Sequence, residues 1–112
     1  MDEIWDIVLG WNGLAQDTVG KQIVRSADSI GANIAEGSGR GSNQDYKRFL
    51  KISRGSLYET RHWLRRAFRR KLLTAEQIKT LTPVIDKLTP MVNAYIRSIG
   101  TYQVKKALEE NE

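Results

Sequence analysis

The sequence predicts an all-α protein, an antiparallel up-and-down bundle of four helices. Three observations carry the prediction. Apolar residues recur at i, i+3, i+4 and i+7 in four separate stretches, the spacing that lines one face of an α-helix. Short breaks, rich in glycine or headed by a capping residue, separate those stretches. The chain has 112 residues, 40% of them hydrophobic and 28% charged, which suits one domain with one core. Short connections make successive amphipathic helices lie side by side and alternate in direction.

Residues 2–15 form the first predicted helix. Ile4, Ile7, Val8, Trp11, Leu14 and Ala15 keep helical spacing, and Asp2, Glu3 and Asp6 suit the positive end of a helix dipole. Gly10 and Gly13 weaken this helix by up to about 1 kcal/mol each relative to alanine, so it depends on packing. Asp17 or Thr18 then caps a second helix over residues 18–37. Val19, Ile23, Ala27, Ile30 and Ile34 fall on one line of it, while Gly20, Gly31 and Ala35 leave room for a close neighbour. A second stripe, Gln22, Ser26, Ser29, Asn33 and Glu36, is polar and mostly uncharged, with side chains short enough to bond across a helix interface. Gly37, Gly39 and Gly41 make the break, with Gly37 as the terminator.

Ser42 caps the third helix, residues 43–72, with Asp45 in capping-box register. Tyr46, Phe49, Leu50, Ser53, Leu57, Thr60, Leu64, Ala67 and Phe68 form its apolar arc. Ile52, Ser56 and Trp63 widen that arc beyond the needs of one core, so Ile52 and Trp63, with Trp5, are candidates for a subunit interface. Thr74 and Gln77 open the fourth helix, residues 75–99. Its stripe Ile78, Leu81, Ile85, Leu88, Val92, Tyr95 and Ile99 keeps phase across Pro83 and Pro90. A proline inside a helix costs about 3 kcal/mol or more. The unbroken phase still favours one kinked helix over a fresh start at Thr82-Pro83. Gly100 is expected to end it, closing a bundle domain over residues 1–100 and leaving residues 101–112 as a tail, helical or loose.

No apolar run reaches about 18 residues, so no membrane span is expected. The first residues carry no signal-peptide pattern, and there are no cysteines to form disulfides, a thiolate zinc site or a nucleophile. A cytoplasmic protein is the expectation. The formal net charge is +5. Residues 43–72 hold ten Lys or Arg against Asp45 and Glu59, a balance of +8, which leaves −3 elsewhere. Asp2, Glu3, Asp6 and Asp17 are unopposed by any base in residues 1–18. A basic rod and an acidic arm in one small chain point to contact with an anion, with another copy of itself, or with both.

One stretch has the look of a signature. Gln22-Ile-Val-Arg-Ser-Ala-Asp-Ser-Ile-Gly-Ala-Asn-Ile-Ala-Glu-Gly37 is followed by Gly39-Arg40, Arg48-Phe-Leu50 and Ser53-Arg-Gly-Ser-Leu-Tyr-Glu59. In these residues the chain resembles the 23S ribosomal RNA intervening-sequence proteins. The resemblance covers nearly all of residues 22–73. It implies an antiparallel four-helix bundle assembling as a homopentamer. It also implies kinship with the accessory variability proteins of diversity-generating retroelements, basic bundles regarded as binding nucleic acid and a reverse transcriptase. No catalytic residues come with the family.

The candidate binding residues are Lys47, Lys51, Arg54, Tyr58, Arg61, Arg65 and Arg69, spaced as one stripe opposite the apolar arc. They suit a phosphate backbone, with Tyr58 able to stack on a base, and nothing here resembles a base-reading motif. The plain alternative is a solvated face, or charges paired with acidic groups of a neighbouring subunit. Glu59-Thr-Arg-His62 has the form of half a di-iron motif, but His62 is the only histidine and one half-motif holds no metal. Gly37-Ser-Gly-Arg-Gly41 follows a helix and lacks Gly-Lys-Ser/Thr, so it reads as a turn and not as a phosphate loop. Asn33, Glu36, Ser56 and Glu59 offer no nucleophile and base together, and are expected to make polar contacts between helices. The expectation is therefore a non-enzymatic homo-oligomer, without metal or cofactor, that binds RNA or DNA with little sequence preference. A protein-interaction scaffold is the alternative.

Overall fold

The computed structural model describes residues 2–111. Four helical rods and no strand occur among the described residues. The first rod is α1 (Asp2–Leu9). The second is a continuous run of α2 (Gly13–Ala15), a π-helical turn (Gln16–Gly20) and α3 (Lys21–Ser38). The third and fourth are α4 (Asn43–Arg69) and α5 (Ala75–Glu110).

The first two rods meet five residues earlier than residues 2–15 and 18–37 would have it. The chain leaves helical geometry after Leu9, and the Gln16 side-chain Nε2 donates to the carbonyls of Val8 at 3.1 Å and Leu9 at 3.0 Å. Those are orphan acceptors that any helix end must satisfy. Asn12, rather than Asp17 or Thr18, caps the second rod by accepting from the Ala15 amide at 2.9 Å. Thr18 lies inside that rod and donates to the Leu14 carbonyl. The new start turns Leu14 out of the expected stripe to 78% exposure.

The core gathers Ile4, Val8, Val19, Ile23, Ala27 and Ile30 with Leu50, Leu57, Leu64, Leu81, Ile85 and Val92. Between α3 and α4 the packing is close because the residues are small and their hydroxyls are satisfied. Thr60 donates to the Ser56 carbonyl at 2.8 Å and lies 2.9 Å from the Ser26 hydroxyl. Ser53 donates across the interface to the Ile30 carbonyl at 2.8 Å. Ser26, Ser53 and Thr60 are fully buried, and no buried side-chain polar atom among the described residues lacks a partner. From Ile30 to Ser26 the index falls as it rises from Ser53 to Thr60. From Asn93 to Asp86 it falls as it rises from Arg54 to Arg61.

Gly37 does not end α3. The helix continues to Ser38, and Gly37 is buried where a Cβ would stand 2.7 Å from the Phe49 Cβ. The turn itself rests on Gly41, whose φ is +80°. Ser42 caps α4 through the Asp45 amide. Lys71, with φ 60°, closes α4: its amide donates to the Phe68 carbonyl and the Leu72 amide to the Ala67 carbonyl. That is the Schellman pattern at a position glycine usually fills. Thr74 and Gln77 form both halves of a capping box on α5.

Pro83 and Pro90 sit on the exposed side of α5, which passes Gly100 and reaches Glu110. At 1.5 Å per residue α5 is about 54 Å long. The short α1 covers only one end of the other rods, where Ile4, Ile7, Val8 and Trp11 meet Leu64, Leu73 and Leu81.

The glycines give a stability test with opposite signs. At Gly55 a Cβ meets nothing within 4 Å, so Gly55→Ala is expected to raise unfolding stability by about 0.5–1 kcal/mol. At Gly37 the added Cβ meets a backbone-anchored atom, so Gly37→Ala is expected to lower it by about 1–2 kcal/mol despite better helix propensity. Urea unfolding of the two variants checks both signs.

Candidate nucleic-acid interface

The basic stripe does not lie opposite the core. It flanks the seam between α4 and α5, because α5 carries polar partners that reach part of it. Arg54 donates to Asn93 at 2.9 Å, and Arg61 donates to Asp86 at 3.1 Å and Thr89 at 3.4 Å. The Lys47 ammonium lies beside Gly100 of α5. These three are half-buried, while Lys51, Tyr58, Arg65 and Arg69 are exposed. The structure thus splits the predicted residues into an inner set that ties α5 to α4 and an outer set in solvent.

The outer set is reinforced by residues left off the predicted stripe. Arg66, Arg70 and Lys71 are also exposed and extend the positive field at the end of α4. None of Lys51, Arg65, Arg66, Arg69, Arg70 or Lys71 makes an ion pair among the described residues. Closely spaced cations without counter-charges repel one another and gain when an anion lies across them. Phe68, expected in the core, stands 47% exposed among them. The buried arc is narrower than the apolar spacing predicts: Leu64 and Ala67 fill the interior, and Phe68 is left at its edge.

The four polar residues expected between helices divide as well. Glu59 of α4 accepts from Arg25 of α3 and from the Trp63 indole. Asn33 donates to the Ser29 carbonyl and Ser56 to the Ile52 carbonyl, each within its own helix. Glu36 pairs with Arg40 at 2.9 Å across the end of α3. The buried contacts across the α3–α4 interface come from Ser26, Ser53 and Thr60. The signal in the sequence was the Ser26 stripe and the interruption of an apolar arc by Ser53 and Thr60.

Arg40, which heads the glycine turn, is also engaged above the Phe49 ring at 5.1 Å, with Arg48 on the same ring at 4.6 Å. His62 is exposed and packs edge-on against Trp63, with ring centroids 4.8 Å apart. No group of three or more His, Asp or Glu gathers among the described residues. No helix there is long and apolar enough to cross a membrane.

Geometry and surface together define a class: an all-helical chain of four rods, tightly packed through α3 and α4, with a solvent-facing basic row along α4. The family model for the 23S rRNA-intervening sequence protein matches residues 1–94, and the chain belongs to that family. Comparisons with curated proteins and with solved structures found no match.

The division into inner and outer cations has a direct check. Arg61 is partly buried, so a double-mutant cycle of Arg61→Gln and Asp86→Asn is expected to give a coupling of about 0.5–1 kcal/mol that shrinks in high salt. The same cycle of Arg65→Gln with Asp86→Asn is expected to give none.

Proposed function

We propose that this protein is a non-enzymatic, homo-oligomeric bundle of antiparallel up-and-down helices that binds RNA or DNA through the phosphate backbone. The observation that carries the reading is the outer row of α4, Lys51, Arg65 and Arg69 with Arg66, Arg70 and Lys71, exposed and without ion pairs among the described residues. Cations spaced in a row along a helix can neutralise a line of phosphates, and each phosphate neutralised releases counterions. Backbone contacts carry no sequence information, so binding spreads over many sequences.

Assembly into five copies is part of the proposal. The resemblance to the family supplies the number. Exposed apolar side chains supply the surface: Trp5 and Ile52, two of the three residues that the sequence put forward, with Leu9, Leu14, Met91 and Tyr95, while the third, Trp63, is half-buried against the core. Apolar side chains left this exposed gain free energy when another copy covers them. Kinship with retroelement accessory proteins rests on the same resemblance, and a cytoplasmic location goes with a nucleic-acid partner.

Light scattering is expected to give a mass near five times the 12.8 kDa chain. Binding to generic RNA and DNA should weaken linearly in log–log salt titrations. The combined variant Lys51→Gln, Arg65→Gln, Arg69→Gln should flatten that slope by about 2–3 while leaving the helical signal intact. Absence of salt-sensitive binding to both nucleic acids at low ionic strength would contradict the reading and favour a scaffold whose basic face docks an acidic protein.

A further inference from the structure

Beside the basic row lies a cleft between α4 and α5 of about 370 Å³. Leu64, Ile78 and Ile85 form its apolar lining, the half-exposed Phe68 lines it as well, and Thr82 and Asp86 are its polar residues from α5. Arg61 and Arg65 line it too. Arg61 is held by Asp86 and Thr89 on α5, so its guanidinium is fixed in place. Arg65 makes no ion pair among the described residues, and Arg69 follows Phe68 directly in the exposed row.

The chemistry of such a site is specific in kind. Apolar walls and an aromatic face suit a flat, weakly polar ring. Unpaired guanidinium groups next to it suit the anion attached to that ring. A nucleobase with its phosphates joins both features in one ligand. In a duplex the base faces are stacked and out of reach, whereas in a single strand they are free to stack on a side chain. We propose that this cleft seats one unstacked base of a single-stranded nucleic acid, with Phe68 as the stacking surface and Arg65 and Arg69 on the flanking phosphates. The proposal rests on the reading of the basic row as a phosphate-binding surface and adds to it a preference for single strands. Tyr58, the aromatic that the sequence put forward for stacking, lines no part of this cleft.

The experiment is fluorescence anisotropy with the full chain and four probes of equal length: oligo(dT), oligo(rU), an abasic phosphodiester oligomer and a DNA duplex. The wild type is expected to bind the base-bearing single strands about tenfold more tightly than the abasic oligomer. Phe68→Ala should erase that tenfold difference and leave abasic and duplex binding unchanged. Phe68→Trp should restore it, which separates stacking from loss of fold. Comparison of oligo(dT) with oligo(rU) distinguishes DNA from RNA as the source of the base. If base-bearing and abasic oligomers bind the wild type equally, or if Phe68→Ala weakens all four probes alike, the cleft proposal is overturned and the basic-row reading stands. Binding to none of the four at low salt overturns both.

Discussion

Everything in this bundle depends on how closely α3 and α4 approach. Two helices packed through leucines keep their axes about 8–10 Å apart, and smaller contact residues bring them nearer. Here the contact residues are Ser26, Ser53 and Thr60 with Gly37, and each is small for a reason. The hydroxyls bond to carbonyls of their own or the facing helix, so burying them leaves nothing unsatisfied. A buried hydroxyl without a partner would cost about 1–3 kcal/mol, which makes the pairing as important as the size. Gly37 admits Phe49 where any side chain would collide. Once α3 and α4 are locked, the rotation of α4 about its axis is set, and with it the direction of every arginine.

That rotation explains the surface. One edge of α4 faces α3 through Ser53 and Thr60, and the opposite edge meets α5 through Arg54 and Arg61. Cations just beyond the second edge, Lys51, Arg65 and Arg69, are left in water. The charge of α4 thus serves two ends. Part of it joins helices, each pair on a half-exposed site contributing on the order of 1 kcal/mol or less. Most of the remainder gathers at the end of α4 closed by Lys71, where Arg65 borders the Phe68 cleft.

Helix number and the capping residues Ser42 and Thr74 were legible in the residues, because amphipathic period and cap chemistry are local properties. Helix ends set by contact were not. Gly10 and Gly100 look alike on paper, yet the chain leaves helical geometry at one and continues through the other. A helical glycine costs only about 1 kcal/mol, a sum that neighbouring turns easily offset. At Gly10 the Gln16 side chain and the Asn12 cap favour a new start, and at Gly100 no such alternative is offered. The basic stripe was legible as a row and its partition was not, because Asp86 and Asn93 lie 25 and 39 residues away from the arginines they hold. Ser26 and Phe68 show the same limit from two sides: a polar residue buried because a partner exists, and an apolar one exposed because the core is already full.

The central claim is that the α3–α4 approach is limited by size, and Ser26 tests it most directly. Ser26→Val adds apolar surface that would stabilise the core by about 1 kcal/mol if there were room. Ser26 and Thr60 are both fully buried against each other, so added methyl groups meet occupied space. Chemical denaturation of Ser26→Val beside Ser26→Ala is therefore predicted to show the valine variant less stable than the alanine variant, by about 1–3 kcal/mol. A valine variant as stable as the alanine variant, or more so, would contradict the account.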